Sequence, residues 1–320
     1  MNNNTLVKAY MAAIANALII GFSFIFVKIA LQEATPADIL AHRFTVSLIA
    51  AVLMLLLGRN RLNIQWSSIL RILPLAVFYP ALFFAFQTFG LVYASSSEAG
   101  IITATIPILT MILASLLLGE RASLLQKLCM LLSVAGVVFI FVMKGTQAHS
   151  VNAAGLILIL LSALSSAIYT VLARKWMKSL KLSDVSFVMI SIGFIVFNAI
   201  SLTGHAAEGT VSTYFKPFTD VGFVTAILYL AVLSSLCTSL LSNYAISRIE
   251  ASKMSVFNQL STIVTIGAGA IILHETLAYY HFIGTVMILV GVIGVCLPKG
   301  LLARKKRGRD SEGHKGGYKL

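Results

Sequence analysis

The chain has 320 residues, of which 58% are hydrophobic and 11% are charged, and its formal net charge is +13. A soluble globular protein carries roughly 25% charged residues, so this composition excludes that class and predicts a protein that crosses a membrane many times. The length accommodates ten helices of about 20 residues each with short connections, which leaves no room for a large soluble domain.

Ten apolar runs follow one another along the chain. They are continuous rather than alternating, which is typical of membrane-spanning helices and not of barrel strands. An all-α membrane protein with ten transmembrane helices is therefore the predicted fold class. The runs lie at residues 7–30, 37–57, 70–93, 98–118, 124–143, 154–173, 184–204, 222–246, 254–273 and 279–297.

Lys and Arg residues are distributed unevenly over the predicted connections. With the N-terminus placed in the cytoplasm, 20 of the 24 lie on the cytoplasmic side and 4 on the outer side. Cytoplasmic loops carry such an excess, so both termini are predicted to lie in the cytoplasm, with the chain in the inner (cell) membrane.

The final residues, 299–320, hold eight of the Lys and Arg residues and lack apolar periodicity. They are predicted to form a basic, disordered cytoplasmic tail. Nucleic acid would also attract such a tail, but membrane lipids with anionic head groups are the simpler partner, and no nucleic acid is expected.

The sequence repeats itself within its own length. Residues 118–120 (Leu-Gly-Glu) match residues 273–275 (Leu-His-Glu) at an offset of 155, whereas the earlier pair Asp38 and Asp184 matches at an offset of 146. About nine extra residues are thus expected in the second half, and the polar segment 205–220 is the obvious place for them.

The repeat divides the chain into a first unit, 1–147, and a second unit, 148–298, with five predicted spans each. Because five is an odd number, the second unit enters the membrane upside down relative to the first. Two inverted five-helix repeats are typical of alternating-access transporters, in which the substrate binds near the midplane between the repeats.

An ordered set of short segments supports this division: 21–24 with Lys28, 43–44, 94–107, 118–121, 136–138, 273–275 and 284–291. Over about residues 8–297 the chain resembles the EamA-type ten-helix members of the drug/metabolite transporter superfamily. The resemblance implies secondary transport without a cofactor, most often export of amino acids, metabolites or drugs. His274 departs from the family, which usually has Gly there, and Thr262 stands where the first copy has Pro107.

The expected function is export of small organic solutes across the cytoplasmic membrane. An importer or facilitator of the same fold, a lipid-carrier flippase and an integral membrane enzyme are the alternatives. Against an enzyme, the sequence has no metal-spaced His/Asp/Glu cluster, nucleophile elbow or phosphate loop, and no metal site is expected. The sequence leaves open whether the chain forms a homodimer.

Uncharged polar and aromatic residues within the spans are candidates for substrate binding. Tyr79, Phe83 and Gln87 recur every four residues, which predicts one face of the third span. Amides and aromatic rings suit a zwitterionic or amphipathic solute; the alternative is hydrogen bonding between helices, worth about 0.6–2 kcal/mol per group. The set predicts a cavity between spans three, four, eight and nine, flanked by one and six: Asn16, Tyr79, Phe83, Gln87, Thr103, Tyr169, Asn258 and Gln259.

Three basic side chains are candidates for a gating or electrostatic role. Lys28, His42 and Arg43 lie near the outer ends of the first two spans, and ionisable groups at membrane depth often serve transport. The alternative for Lys28 and Arg43 is extension to the outer head groups, with Glu98 or Asp38 as partner. His42 titrates in the pH 6–7 region if it is functional.

Glu120 and Glu275 end matched segments of the two halves. Inversion places them at opposite faces of the membrane, so they cannot share one proton. Each is predicted to cap the N-terminus of the next helix. Glu98, Glu120, Asp184 and Glu275 all lie at span ends, where water is expected to reach them; the sequence therefore predicts no central proton carrier.

Overall fold

The computed structural model describes residues 3–57, 66–118, 123–147, 153–176, 182–246 and 251–296. Their regular secondary structure is helical throughout. A helix pairs its backbone N–H and C=O groups within one segment, which an apolar chain in lipid requires. Glu120 and the tail 299–320 lie outside the described residues, as do the side chains of Asn258 and Gln259.

The helices follow the apolar runs closely. In the first half they are α1 (Asn3–Ala30), α2 (Pro36–Leu57), α3 (Trp66–Ala76), α4 (Phe83–Tyr93), α5 (Ser96–Thr103), α6 (Ile106–Leu118) and α7 (Leu124–Gln147). In the second half they are α8 (Ala153–Trp176), α9 (Leu182–Glu208), α10 (Val221–Leu228), α11 (Thr238–Ile246), α12 (Ala251–Ile272) and α13 (Tyr279–Cys296).

Several of these helices are suited to cross a membrane. Within the described residues, seven stretches have the necessary length and hydropathy: Val7–Ala30, Pro36–Leu57, Ser68–Tyr93, Ser96–Leu117, Ala153–Ala173, Ser183–Glu208 and Val221–Ser242. Three further apolar helices are shorter: Leu124–Ile140, Leu260–Ile272 and Tyr279–Gly291. Large apolar side chains such as Leu57 and Ile271 also lie exposed on the outside of the bundle. The chain is thus an all-α, multi-pass membrane protein.

Two of the long stretches contain a π-helical segment. Val77–Leu82 joins α3 to α4, and Tyr229–Cys237 joins α10 to α11. In the first, Pro80 has no N–H to donate to the helical ladder, and Tyr79 leaves helical geometry with φ −143° and ψ 117°. The prediction that Tyr79, Phe83 and Gln87 share one regular helical face is therefore wrong at Tyr79.

The helices pack chiefly in four pairs: α7 with α13, α1 with α12, α2 with α9, and α4 with α8. Each pair joins the first half of the chain to the second. The two halves are consequently interleaved, and side chains from both halves meet in the middle of the bundle.

The α7–α13 pair depends on a close backbone approach at Gly291. A β-carbon at this position would lie 2.4 Å from the carbonyl oxygen of Cys129 and 2.4 Å from Oγ of Ser133. Ser133 in turn donates to the carbonyl of Ile288 at 2.8 Å. Small residues are typical of such helix contacts in membranes, where packing rather than hydrophobicity holds helices together.

We expect Gly291→Ala to lower the melting temperature of the purified protein, because the added methyl group forces α7 and α13 apart. Gly267→Ala is the matched control: Gly267 also lies inside a helix, but a β-carbon there meets nothing within 4 Å. Replacing a helix-interior Gly by Ala favours the helix by roughly 0.5–1 kcal/mol, so the control is expected to melt at the same temperature or slightly higher. Equal melting temperatures for the two variants would contradict the close packing.

Candidate functional site

A buried guanidinium lies in the middle of the bundle. Arg43, two turns into α2, is 1% exposed. Its Nε donates to Oγ of Ser235 at 3.1 Å, and its Nη2 donates to Oγ of Ser234 at 3.3 Å. Both serines belong to the π-helical segment Tyr229–Cys237, so the contact joins the first half of the chain to the second.

Aromatic rings form the other side of the same site. The Cζ atom of Arg43 lies 4.1 Å from the ring centre of Phe84, well within the range of a cation–π interaction. Phe84 contacts Tyr79, with ring centres 5.3 Å apart, and Tyr79 stacks on Tyr169 at 5.1 Å. We call these residues, together with Ser234 and Ser235, the Arg43 cluster.

The π-helical segment fixes the two serine acceptors. The Ser235 hydroxyl donates to the carbonyl of Leu230, five residues earlier, at 2.9 Å, which leaves its lone pair directed at the guanidinium. Ser47, one turn after Arg43, donates to the carbonyls of Arg43 and of Ala231. These bonds hold α2 against the segment, so the guanidinium and its acceptors are positioned before any ligand arrives.

Among the described residues, no carboxylate pairs with Arg43, and the hydrogen bonds to Ser234 and Ser235 use two of its five N–H donors. Of the two alternatives for Arg43, the structure therefore contradicts extension to the outer head groups with Glu98 or Asp38 as partner. A charge kept away from water without an acid is costly, and such charges are usually retained for a function.

A second polar network lies where α2 begins and α9 ends. The carboxylate of Asp38 accepts from the hydroxyls of Ser201 and Thr35, and its Oδ1 lies 3.0 Å from Nε2 of His205. The other ring nitrogen of His205 is 2.7 Å from Oγ1 of Thr210. This network connects the segment after α9 to α2. The carboxylate of Asp38, which the sequence suggests as a partner for Arg43, is therefore hydrogen-bonded to other residues.

His42 lies under the same segment. Its Nε2 is 3.0 Å from the carbonyl oxygen of Tyr214, and its ring is surrounded by those of Tyr214, Phe218 and Phe223. Burial raises the pKa of the Tyr214 hydroxyl, which stays protonated at neutral pH and donates to Oδ1 of Asn198 at 2.8 Å. His42 thus holds the connection between α9 and α10 in place.

Glu275 joins the two halves at the end of the bundle where α12 ends, here called the Glu275 end. Its carboxylate accepts from the backbone N–H groups of Ser96 (2.7 Å) and Ser97 (3.0 Å). It also accepts from the hydroxyls of the same two serines, at 2.8 and 2.6 Å. A carboxylate at a helix N-terminus is favoured by the helix dipole. Glu275 is a cap, but it caps α5 in the other half; the prediction that it caps the following helix, α13, is wrong.

Two backbone features bring Glu275 to α5. His274 has a positive φ of 51°, the left-handed conformation that Gly adopts most readily, and the chain turns there at the end of α12. A β-carbon on Gly269 would lie 2.6 Å from the Glu275 carboxylate and 2.6 Å from Oγ of Ser97. The absence of a side chain at Gly269 therefore makes room for the four hydrogen bonds.

The same helix N-terminus has a second cap. Ser95 accepts from the N–H of Glu98, and Glu98 accepts from the N–H of Ser95, which is a capping box. Glu98 is only 4% exposed, and its Oε1 lies 3.8 Å from Nε2 of His281. The prediction that water reaches this carboxylate is wrong, because α5 starts inside the bundle. The same prediction is wrong for Asp184, which is also buried, in the first turn of α9.

Lys28 lies at the Glu275 end as well. It lines a cavity of about 520 Å³ together with Gln32, Leu91, Leu273 and Glu275. The cavity is separate from the Arg43 cluster, whose residues are not among its walls. Lys28 and Arg43 are therefore not parts of one basic pocket.

The remaining substrate candidates are dispersed. Asn16 is buried and its Oδ1 has no hydrogen-bond partner among the described residues, whereas the Thr103 hydroxyl bonds within its own helix, to the carbonyl of Gly100. Phe83 contacts Tyr79 in the Arg43 cluster, and Gln87 is buried one turn further along α4. Of the predicted set, the structure thus brings together Tyr79, Phe83 and Tyr169.

The sequence does not reveal the central part played by α2 and by the segment Tyr229–Cys237. The sequence marks Arg43 only as a candidate for a gating or electrostatic role near the outer end of the second span, and Ser234, Ser235 and Phe84 carry no spacing signal that would mark them. One missed feature was visible: residues 95–98 read Ser-Ser-Ser-Glu, the pattern of a capping box.

A bundle of apolar helices with a polar, aromatic cluster between its two halves is the architecture expected of a multi-pass membrane transporter. The chain belongs to the EamA-like transporter family, which matches it twice, over residues 7–142 and 153–297. This confirms the resemblance found in the sequence and identifies a transporter rather than an enzyme.

Similar proteins agree with this assignment. The chain is 59% identical over 286 residues to "Uncharacterized transporter YcxC" of Bacillus subtilis (strain 168), covering 89% of this chain and 92% of that one. It is 25% identical over 280 residues to an "Uncharacterized transporter" of Archaeoglobus fulgidus, covering 85% and 92%. A solved crystal structure superposes with a TM-score of 0.62 over 96% of this chain and 99% of the other, at 15% identity, a likeness of fold alone.

We expect Glu275→Gln to lower the yield of folded protein at least as much as it lowers transport per folded molecule. The amide offers one acceptor oxygen where the carboxylate has two, and each hydrogen bond to a charged group contributes about 1.5–3 kcal/mol. Glu33→Gln is the matched control, because Glu33 is exposed at the same end of the bundle. Normal yield with abolished, pH-independent transport would instead make Glu275 a coupling residue.

Proposed function

We propose that this protein exports small organic solutes across the cytoplasmic membrane by alternating access. The observation that carries the proposal is the Arg43 cluster: a buried guanidinium, hydroxyl groups and aromatic rings, contributed by both halves of the chain and meeting between them. Transporters built from repeats bind their substrates at such an interface.

Three observations support ten spans in two inverted repeats, with boundaries at 147/148 and 298/299. The family matches two consecutive segments of similar length. Shifting Val77–Leu82 by the repeat offset of 155 gives positions 232–237, which lie inside the second π-helical segment. The helix pairs also obey the repeat, since α1 packs on α12 as α8 packs on α5 and α6.

The Lys and Arg bias supports an orientation with the Glu275 end outside the cell and both termini in the cytoplasm. In this orientation the Glu275–α5 junction closes the outer side between the two halves. Alternating access then requires the junction to separate whenever the Arg43 cluster opens outward. The hydrogen bonds between Glu275 and the start of α5 are charge-assisted, but they lie beside the cavity that Lys28 lines. Water can therefore reach them as the two halves move apart.

Counterflow into proteoliposomes tests the proposal. Vesicles containing the full-length protein are preloaded with a mixture of unlabelled amino acids and organic acids, and the labelled compounds are then added outside one at a time. We expect transient accumulation of at least one labelled compound, absent from protein-free vesicles. Flux measured separately in each direction then tells export from import. Counterflow with none of the compounds would remove the support for solute transport.

The orientation of the termini has its own test. On a background with Cys129, Cys237 and Cys296 replaced, single cysteines are introduced by Ser311→Cys, in the tail, and Val211→Cys, in the exposed segment after α9. In intact cells we expect an impermeant thiol reagent to label position 211 and to label position 311 only after permeabilisation. Labelling of position 311 in intact cells would invert the proposed topology.

We expect transport to run without a proton gradient. In the described residues three carboxylates are buried, those of Asp38, Glu98 and Asp184. Asp38 and Glu98 are committed to the His205 network and to the cap of α5, Asp184 accepts from the hydroxyl of Ser183, and none of the three belongs to the Arg43 cluster. Facilitated movement down the gradient of the solute then needs no proton carrier. The check is flux with and without an imposed pH gradient at zero membrane potential; accumulation driven by pH alone would point to the Asp38–His205 pair as a coupling site.

A further inference from the structure

We propose that the solute is an organic anion and that Arg43 binds its acidic group, while the rings of Phe84, Tyr79 and Tyr169 hold its apolar part. This inference rests on the proposed function and narrows it to a substrate class. It begins from the guanidinium itself, because a charge in the middle of an apolar bundle needs an explanation that the fold alone does not supply.

The donors of Arg43 are incompletely used. Ser235 and Ser234 accept from Nε and from one hydrogen of Nη2, and within the described residues the remaining three N–H groups have no acceptor. The guanidinium is a planar fork that matches the two oxygens of a carboxylate. An anionic ligand is the natural complement of this side chain: it supplies the missing acceptors and neutralises the charge.

The repeat shows that the fold does not require an arginine here. With the offset of 146 set by Asp38 and Asp184, the counterpart of Arg43 is Met189. Met189 is also buried, packs in one apolar cluster with Tyr79 and Tyr169, and accepts from the Tyr169 hydroxyl through its sulfur at 3.8 Å. Equivalent positions around the centre of the bundle thus hold a cation on one side and a thioether on the other.

This asymmetry gives the cluster a polar end and an apolar end. Arg43 with its two serines forms the polar end, and the stacked pair Tyr79 and Tyr169, with Met189 behind it, forms the apolar end. Phe84 lies between them, in contact with both Arg43 and Tyr79. A solute that carries an acidic group next to an aromatic or aliphatic body matches this order.

The same arrangement disfavours solutes with a positive charge. In the described part of the chain the cluster contains no carboxylate, and Asp38 and Glu98 are bound elsewhere by Ser201, His205 and the cap of α5. An ammonium group beside Arg43 would meet a like charge without an acid to balance it. The site should therefore prefer anions to zwitterions, in contrast to the zwitterionic or amphipathic solute that the sequence suggested.

An anionic solute also accounts for export without a proton carrier. Arg43 stays in the membrane during the cycle, so each turnover moves the negative charge of the solute across. A membrane potential that is negative inside drives an anion outward. The potential itself can then power export, and the direction of net flux should follow its sign.

Binding to the purified full-length protein tests the charge preference directly. The probes are benzenesulfonate and phenylacetate as anions, benzyltrimethylammonium as a cation, and benzyl alcohol as a neutral compound of similar size. We expect the two anions to raise the melting temperature in a saturable manner, and the cation and the alcohol to leave it unchanged. Equal effects of anion and cation, or no effect of either anion, would overturn the proposal.

Substitution of Arg43 tests whether the anions bind at its guanidinium. We expect Arg43→Gln to weaken phenylacetate binding by about tenfold or more. The matched control is Arg71→Gln, which removes an exposed arginine from α3 and should bind phenylacetate like the wild type. Arg43→Lys keeps the positive charge but loses the planar, two-pronged donor group. This variant replaces Arg43→Gln if Arg43→Gln does not fold. We expect Arg43→Lys to bind phenylacetate more weakly than the wild type while still preferring anions. Unchanged binding in a folded Arg43 variant would contradict the assignment.

Counterflow separates this inference from the proposed function. If the wild type exchanges neutral or cationic solutes and not anions, the protein is a transporter and the inference is wrong. If the wild type exchanges none of the solutes, the proposed function is wrong, whatever the binding experiments with the four probes show. If it exchanges phenylacetate, a potassium diffusion potential made negative inside with valinomycin should accelerate efflux and slow influx, and equal rates would overturn the charge movement.

Discussion

The carboxylate of Glu275 provides the contact on which the arrangement of the two halves depends. It supplies acceptors for two backbone N–H groups and two hydroxyls at the start of α5, groups that would otherwise face an apolar bundle. Two features make this contact possible, the left-handed turn at His274 and the absence of a side chain at Gly269, and α12 packs against α5 and α1 beside it. One side chain thus links the second half of the chain to the first at one end of the molecule.

The proposed duplication accounts for the pairing of helices between the two halves, and departure from it accounts for the unlike ends of the proposed site. The two π-helical segments occur at positions that match the 155-residue offset, yet the side chains they present differ: Tyr79 in the first half corresponds to Ser234 in the second. Arg43 and Met189 differ in the same way. In the proposed transport cycle, a bundle of this kind moves as two similar halves while it holds a solute with two unlike ends.

The sequence predicts the helices well because hydropathy alone marks them, and the 155-residue offset relates their two sets. It predicts the site poorly because the contacts of Arg43 come from residues about 190 positions away, beyond any periodic signal. Tyr79 was placed on a regular face because spacing does not show how Pro80 and the π-helical segment redirect it. Glu275 was recognised as a cap, but only the folded chain shows that its helix belongs to the other half.

The central claim is that the halves separate at the Glu275 end while a solute is carried. Spin labels at Glu33→Cys and Thr276→Cys, both exposed across that end, would measure this by double electron–electron resonance in lipid, on a background without native cysteines. We expect a short and a longer distance in the wild type, with the longer one enriched by Glu275→Gln because the junction to α5 is weakened. A single distance that Glu275→Gln leaves unchanged would contradict the account.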